Sequence, residues 1–261
     1  MTDEVGTILR TERDGPVLVL TMDYPARRNA LSLPMRAALT DAFASAMGDR
    51  ECRAIVLTGG AGTFSSGGDI SSMEGLTGVG GRERLGNVHR LIRLLVAGEK
   101  PVIAAVEGYA FGAGLSLAAA CDIVVAGRDA KFACSFNKIG LMPDLGAAWT
   151  LPLRIGWGRA KHVMLRGQTF GAVEAERWGL AEVLCEPGQA RAEAVAIAHE
   201  LAAVSPLGNG FTKALLARMP RDLDEMLRAE ADAQAILFTS ADFDEGRRAF
   251  LEKRKPDFAG R

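Results

Sequence analysis

The sequence predicts an α/β protein whose core, residues 1–200, is followed by a helical C-terminal region, residues 201–261. Three observations predict it. Short apolar runs rich in β-branched residues alternate with segments of helical period through the first half of the chain. Twice such a run enters a glycine-dense turn and leaves it as a helix. From Gly156 onward the pattern is mostly helical. Alternation first and helices afterwards is the order expected of an α/β core with a helical extension.

Taken in order, Val17, Leu18, Val19, Leu20, Thr21 and Met22 form a strand, ended by Asp23, Tyr24 and Pro25. Met35, Leu39, Ala42, Phe43, Ala46 and Met47 recur at helical spacing, and Pro34 suits a first helical turn. Residues 54–58 are a short apolar run, read as a buried strand. It enters a stretch holding nine glycines between Gly59 and Gly81, out of 30 in the chain. That stretch has too little apolar content for a core element, so it is a loop needing positive φ or close backbone approach. Phe64 and Ile70 are its expected anchors, and residues 75–81 are expected to be an open surface insertion. A helix over 82–96 and a strand over 102–106 follow, then a glycine-dense turn from Glu107 to Gly114. This opens into a small-residue helix over 115–120 and a strand over 123–126. The remaining predicted helices cover 157–165, 172–178, 190–204, 209–219, 223–237 and 243–254.

Composition narrows the function class. Lys and Arg total 31 against 32 Asp and Glu, a net charge of −1, which offers no electrostatic footprint for nucleic acid or an anionic membrane. With 48% apolar and 24% charged residues the chain reads as an ordinary globular protein, long enough to bury a full core. Cys52, Cys121, Cys134 and Cys185 show neither CxxC nor zinc spacing and read as small buried residues in a reducing compartment. The first fifteen residues lack an apolar segment of the secretory kind. The most apolar stretch, 101–126, is interrupted by Glu107 and Asp122, and its uncharged part is well short of the ~20 residues of a membrane span. A soluble, cytoplasmic protein is expected.

The two glycine turns are where chemistry can sit. Phe64-Ser65-Ser66-Gly67-Gly68-Asp69 and Gly112-Ala113-Gly114 each let a ligand approach the main chain, and each precedes a helix whose first N–H groups lack partners. Converging on one oxygen, they would form an oxyanion hole. Neither matches GxGxxG or the P-loop, and singly each is as compatible with packing or anion binding.

The residues Phe64-Ser65-Ser66-Gly67-Gly68-Asp69-Ile70, followed by Glu107-Gly108-Tyr109-Ala110-Phe111-Gly112-Ala113-Gly114 and Ala120-Cys121-Asp122-Ile123, resemble the crotonase family of enoyl-CoA hydratases and isomerases. Upstream, Arg27-Arg28-Asn29-Ala30-Leu31 resembles the family's first CoA-contacting segment. Downstream, residues 139–146 and 249–256 match family segments, so the likeness runs along nearly the whole chain. The resemblance implies a spiral of ββα units with a helical trimerisation region, assembled as a homotrimer or homohexamer. It implies an acyl-CoA thioester as substrate and no separate cofactor or metal, coenzyme A being carried by the substrate. By the same likeness the backbone N–H groups of Ser66 and Ala113 hold the thioester oxygen. Arg27 and Arg28 face the CoA phosphates, and Ala30, Ser65, Gly68, Asp69 and Ile70 line the CoA path. Phe250 and Lys253 reach a neighbouring subunit's ligand, although a solvated face is the plainer reading of the charge run 252–255.

The sequence departs from the hydratases at the two glutamates that activate and deliver water. Their positions hold Ser116, which either packs in its helix or touches the substrate by a hydrogen bond, and Phe136, left as a substrate contact. Asp144 falls where the isomerase branch carries its single acid. One carboxylate suffices for isomerisation, because the same group takes a proton from one carbon and returns it to another. Phe136 and Trp149 are expected to desolvate it and raise its pKa. The competing reading is that Asp144 caps a helix starting near Gly146. Ser116, in Gly-Leu-Ser-Leu-Ala, is one residue short of a GxSxG nucleophile elbow, and the later His162 and His199 lie in helical, alanine-rich stretches unsuited to a triad. His89, Trp157 and Trp178 have no motif around them and read as packing or surface residues. The sequence thus points to an enoyl-CoA isomerase, with a hydratase or a catalytically silent acyl-CoA binding protein as alternatives.

Overall fold

A computed structural model of the chain describes residues 8–218 and 222–261. The predicted helix end at Met219 and the first seven residues of the segment read above as lacking a secretory signal lie outside the described residues. The strands are β1 (Leu9–Asp14), β2 (Val17–Met22), β3 (Ala54–Gly59), β4 (Val102–Val106), β5 (Tyr109–Phe111), β6 (Ile123–Gly127), β7 (Lys131–Ala133), β8 (Thr169–Gly171) and β9 (Val183–Cys185). The helices are α1 (Leu33–Gly48), α2 (Gly78–Ala97), α3 (Ala113–Ala120), α4 (Ala147–Ile155), α5 (Trp157–Arg166), α6 (Ala172–Trp178), α7 (Ala190–Ala202), α8 (Pro206–Leu216), α9 (Leu223–Leu237) and α10 (Ala241–Glu252).

Among the described residues the main sheet runs β1-β2-β3-β4-β6-β9, parallel from β2 onward with β1 antiparallel at one edge. Alternate residues face two cores. Leu18, Leu20, Ile55, Leu57, Val102, Ala104 and Val124 join the large core with α1, α2 and α3. Val17, Val19, Ala54, Val56, Ile103, Ala105 and Val125 pack on the other face against Ala190, Ala194, Ala198 and Ala202 of α7. Burial on both faces is why these strands are apolar at nearly every position. Alanine at every fourth residue of α7 gives that helix a smooth stripe on the sheet.

A second sheet, β5-β7-β8, stands beside the C-terminal ends of β4 and β6. It turns the chain from Glu107 back over the loop that follows β3. Phe64 N–H donates to Glu107 O (2.9 Å), Ser65 N–H to Tyr109 O (2.8 Å) and Phe111 N–H to Ser65 O (3.0 Å). The two glycine turns are therefore stitched together.

Helix α2 starts four residues earlier than the sequence suggests, so the expected open insertion over 75–81 is shorter. Thr77 Oγ1 accepts from Gly80 N–H (3.1 Å), and Val88, Leu91 and Leu95 bury the helix's apolar face. A cap worth about 1 kcal/mol and that packing outweigh the low helix propensity of Gly78, Gly80 and Gly81. Of the cysteines, Cys52, Cys121 and Cys134 are buried as expected, whereas Cys185 is only half-buried at the edge strand.

The C-terminal region is tied back to the core. Lys213 Nζ on α8 bonds Asp122 Oδ2 (2.6 Å) and Lys100 O (2.8 Å), and Asp242 Oδ1 receives the N–H groups of Ala259 and Gly260. Helix α9 has no buried residue and leaves Leu223, Leu227 and Ile236 in solvent, while Phe250 on α10 is 83% exposed. Among the described residues no helix is long and apolar enough to cross a membrane.

Candidate active site

Three segments far apart in sequence meet at the N-terminus of α3. The first is residues 28–31. Arg28 and Asn29 both have positive φ (48° and 55°), and the buried Asn29 side chain holds this turn in place. Its Oδ1 accepts from Tyr24 N–H (2.8 Å), and its Nδ2 donates to Gly60 O (3.0 Å) and Thr63 O (2.6 Å). The second segment, 65–68, zips onto the first: Ser66 N–H donates to Arg28 O (2.9 Å) and Leu31 N–H to Gly67 O (2.7 Å). The third is the turn from Phe111 to Ala113.

Contact between the last two is possible only because side chains are missing. A Cβ on Gly67, which sits at φ +107°, would lie 2.7 Å from Phe111 O and 3.5 Å from Ala113 N. A Cβ on Gly114 would lie 2.7 Å from Ser65 O. Close backbone approach, one of the two demands the sequence placed on this loop, is what its glycines serve here.

The expectation for the Ser66 N–H is corrected by this geometry. That group is engaged by Arg28 O, and the Ser66 hydroxyl donates to Arg27 O (3.0 Å). Gly67 N–H points to Ser65 Oγ (3.2 Å). The parallel bridge between Leu31 and Gly68 uses the peptide groups flanking Gly68, so Gly68's own N–H turns the other way and donates to no acceptor among the described residues. Ala113 opens α3, so its N–H has no acceptor within the helix, and it carries the positive end of the helix dipole. Gly68 and Ala113 thus supply the unengaged amides.

Other expected contacts are redistributed. The Ser65 side chain is fully buried, donating to Asn29 O (2.8 Å), so it fastens the loop and is closed to a ligand. Asp69 Oδ1 caps the short turn Ile70–Met73 through Ser71 N–H (3.2 Å) and Ser71 Oγ (2.6 Å). That turn throws Ile70 outward, 58% exposed, and it anchors nothing. Ala30 is buried, while Arg27 and Arg28 are exposed at the rim. Ser116 is fully buried in α3 and its hydroxyl bonds back to Gly112 O (3.3 Å), which makes it a packing residue. Phe136 lies in the turn Ser135–Ile139, in the core. Phe250 and Lys253 stand exposed at the end of α10, with no bond to this site among the described residues.

Asp144 lies between that turn and α4. It does not cap α4: the cap residue is Gly146, which receives no side-chain bond. Its Oδ1 is buried without a hydrogen-bond partner. Burial holds its carboxyl above the ordinary carboxylate range, and the charges of Arg36, Arg84 and His89 oppose that rise. Burial, and then the Asp144 charge, push the neighbouring Cys134 thiol up to about 12, which makes it inert as a nucleophile. Trp149 is not at this site. It lines a groove of about 580 Å³ with Asp122, Arg154 and Lys213 at the opposite end of α3. The sequence reading passes over Arg36 and Arg84 and takes His89 for a packing or surface residue, whereas all three charges act on Asp144. The signal for Arg36 is present: it is in helical register with Leu39, Thr40 and Phe43, and only 5% exposed. Among the described residues no His, Cys, Asp and Glu group could hold a metal ion.

Comparison with known proteins agrees with this arrangement. The sequence profile of the family described as enoyl-CoA hydratase/isomerase matches residues 12–261. A 1,2-epoxyphenylacetyl-CoA isomerase of Escherichia coli is 37% identical over 251 residues, covering 94% of this chain and 95% of that protein. A crotonyl-CoA hydratase of Syntrophomonas wolfei is 34% identical over 249 residues, covering 95% and 96%. The crystal structure of an enoyl-CoA hydratase from Bacillus anthracis superposes with a TM-score of 0.93 at 26% identity, covering 98% of this chain and all of the other.

Proposed function

Given that the chain belongs to the enoyl-CoA hydratase/isomerase family, we propose that it is an acyl-CoA isomerase in which Asp144 is the acid/base and the Gly68 and Ala113 amides hold the thioester oxygen. The observation that carries this is Asp144 itself. It is a partly buried carboxylate with an unpartnered Oδ1, on the segment that follows the turn holding Phe136, and the two family glutamate positions hold Ser116 and Phe136, neither of them an acid. Removing a proton beside a thioester makes an enolate, and the negative charge accumulates on the thioester oxygen. Two amides already aimed at that oxygen need no reorganisation, and one such donor lowers a barrier by roughly 2.7–4 kcal/mol. Asp144, held as a stronger base by burial, takes the proton from one carbon and returns it to another. The exposed Arg27 and Arg28 meet the CoA phosphates at the rim. The homologous 1,2-epoxyphenylacetyl-CoA isomerase supports this branch.

A hydratase reading is favoured by the crotonyl-CoA hydratase relative and would use water activated by Asp144 alone. Assaying 3-enoyl-CoA isomerisation beside 2-enoyl-CoA hydration separates the two. Isomerase turnover should exceed hydration and fall at least about a hundredfold in Asp144→Asn. A variant within about fivefold of wild type would remove Asp144 from the mechanism.

A further inference from the structure

The Gly68 amide sits at the end of the stretch that main-chain pairing holds. Up to the bridge with Leu31 the loop is fastened: Leu31 N–H donates to Gly67 O (2.7 Å) and the buried Ser65 hydroxyl to Asn29 O (2.8 Å). Beyond it the short turn Ile70–Met73 buries no residue and leaves Ile70 exposed. Helix α2, which follows, buries nothing before Val88, and the half-buried Leu85 is its first contact with the core. Gly78, Gly81 and Gly86 face open space, so close packing does not hold this part of the helix.

Side-chain bonds take the place of packing. Asp69 Oδ1 accepts from Ser71 N–H (3.2 Å) and Ser71 Oγ (2.6 Å), which closes the turn on itself. Ser72 Oγ donates to Asp69 O (2.7 Å), the carbonyl of the residue after Gly68. The same hydroxyl accepts from Arg84 Nη2 (2.8 Å), while Arg84 Nη1 donates to Ser72 O (3.3 Å). Arg84 thus grips both oxygens of Ser72, and Ser72 grips Asp69. At the end of the turn Met73 Cε lies 3.2 Å from where a Cβ on Gly68 would stand, so the turn folds back over Gly68.

We propose that Arg84 is a positioning residue, which through Ser72 and Asp69 sets the Gly68 amide at the thioester oxygen. The role presupposes that Gly68 and Ala113 are the donors to that oxygen, as proposed above. A guanidinium suits it, because a rigid fork of donors fixes two acceptors at once. The clamped segment has little buried surface, so its release is local and leaves the global fold intact. Its effect falls on geometry instead, where a displacement of about 1 Å in a catalytic group costs up to about a hundredfold in rate. The donor acts on charge that develops in the transition state, so misplacing it lowers kcat and spares KM.

The test uses the full chain and 4-dimethylaminocinnamoyl-CoA, a thioester whose absorption moves to longer wavelength as its carbonyl is polarised by hydrogen bonds. Wild-type protein should bind it with a red shift. The charge of Arg84 also acts on Asp144, so Ser72→Ala, which breaks the clamp and removes no charge, is the decisive variant. It should lose about half of the shift or more, with Kd within about threefold of wild type. Its isomerase kcat should fall about tenfold with KM within about threefold. Arg84→Gln should lose the shift likewise, and Arg84→Lys, which keeps the charge and a donor, should retain more of it. A merely structural role would weaken binding or stability and leave the shift of the bound thioester at its wild-type size, which overturns the proposal while the oxyanion reading stands. Wild-type protein that binds the thioester without a shift would reject Gly68 and Ala113 as the donors, and the role of Arg84 with them.

Discussion

Replacing Asp144 by Asn tests the electrostatics of the site separately from its chemistry. The substitution keeps the size of the side chain and removes the charge. In the wild-type protein Oδ1 is buried without a partner, and leaving such a group unsatisfied costs about 1–3 kcal/mol. Burial raises the folded-state pKa of Asp144 above the unfolded value of about 3.9, so between the two values the folded state binds more protons than the unfolded one. Stability is therefore fullest below the unfolded pKa and falls as pH rises through the folded one. The neutral amide of the Asp144→Asn variant carries no charge-burial penalty at any pH. The variant should be more stable than wild type at pH 8 by on the order of 1 kcal/mol, equivalent to roughly 2–4 °C in Tm for a chain of this size. The gap should close as the pH approaches 4. Urea denaturation followed by circular dichroism, at pH 8 and pH 4.5 and fixed protein concentration, measures both differences. A variant less stable than wild type at pH 8 would show that Arg36, Arg84 and His89 stabilise the carboxylate by more than burial costs, and would refute the argument.

Two further outcomes follow from the rim and from the C-terminal helices. If Arg28 and Lys253 face the CoA phosphates, as the family resemblance implies, Arg28→Ala and Lys253→Ala should each raise KM for the acyl-CoA with kcat nearly unchanged, because such contacts would persist equally in ground and transition states. The loss should shrink at high salt, and a change confined to kcat would assign these residues elsewhere. The apolar residues that α9 and α10 leave in solvent are expected to be covered by other copies of the chain. Light scattering at micromolar concentration should then give three or six times the 27.7 kDa chain mass, and a monomer mass would reject assembly.

How much of the fold the sequence discloses depends on what specifies each element. β2, β3, β4 and β6 are legible because burial on both faces demands an apolar residue at nearly every position. β1 is not: in Leu-Arg-Thr-Glu-Arg-Asp only Leu9 is buried, and the segment is a strand because it pairs with β2 from Leu9↔Met22 to Asp14↔Val17. β5, β7 and β8 have three residues each, too few to carry a period, and exist through pairing with one another. The α6 and α9 boundaries coincide with the sequence reading because Gly179 ends one and Asp222 caps the other, both local signals.

The site divides along the same line. The glycines at 67 and 114 are visible because crowding acts on composition: no side chain fits against Phe111 O or Ser65 O. Which amide remains available is not compositional. It is decided by pairing with residues 28–31, which engages the N–H of Ser66 and turns that of Gly68 away. Arg36 is concealed for a different reason. A search for apolar residues at helical spacing skips an arginine on the stripe, although a charge in register with Leu39 and Phe43 is the more informative observation. An ionisable group buried without a full set of partners costs stability, and such groups concentrate where binding or catalysis uses them. Arg36 and Asp144 both meet that description, and they lie on elements more than a hundred residues apart in sequence.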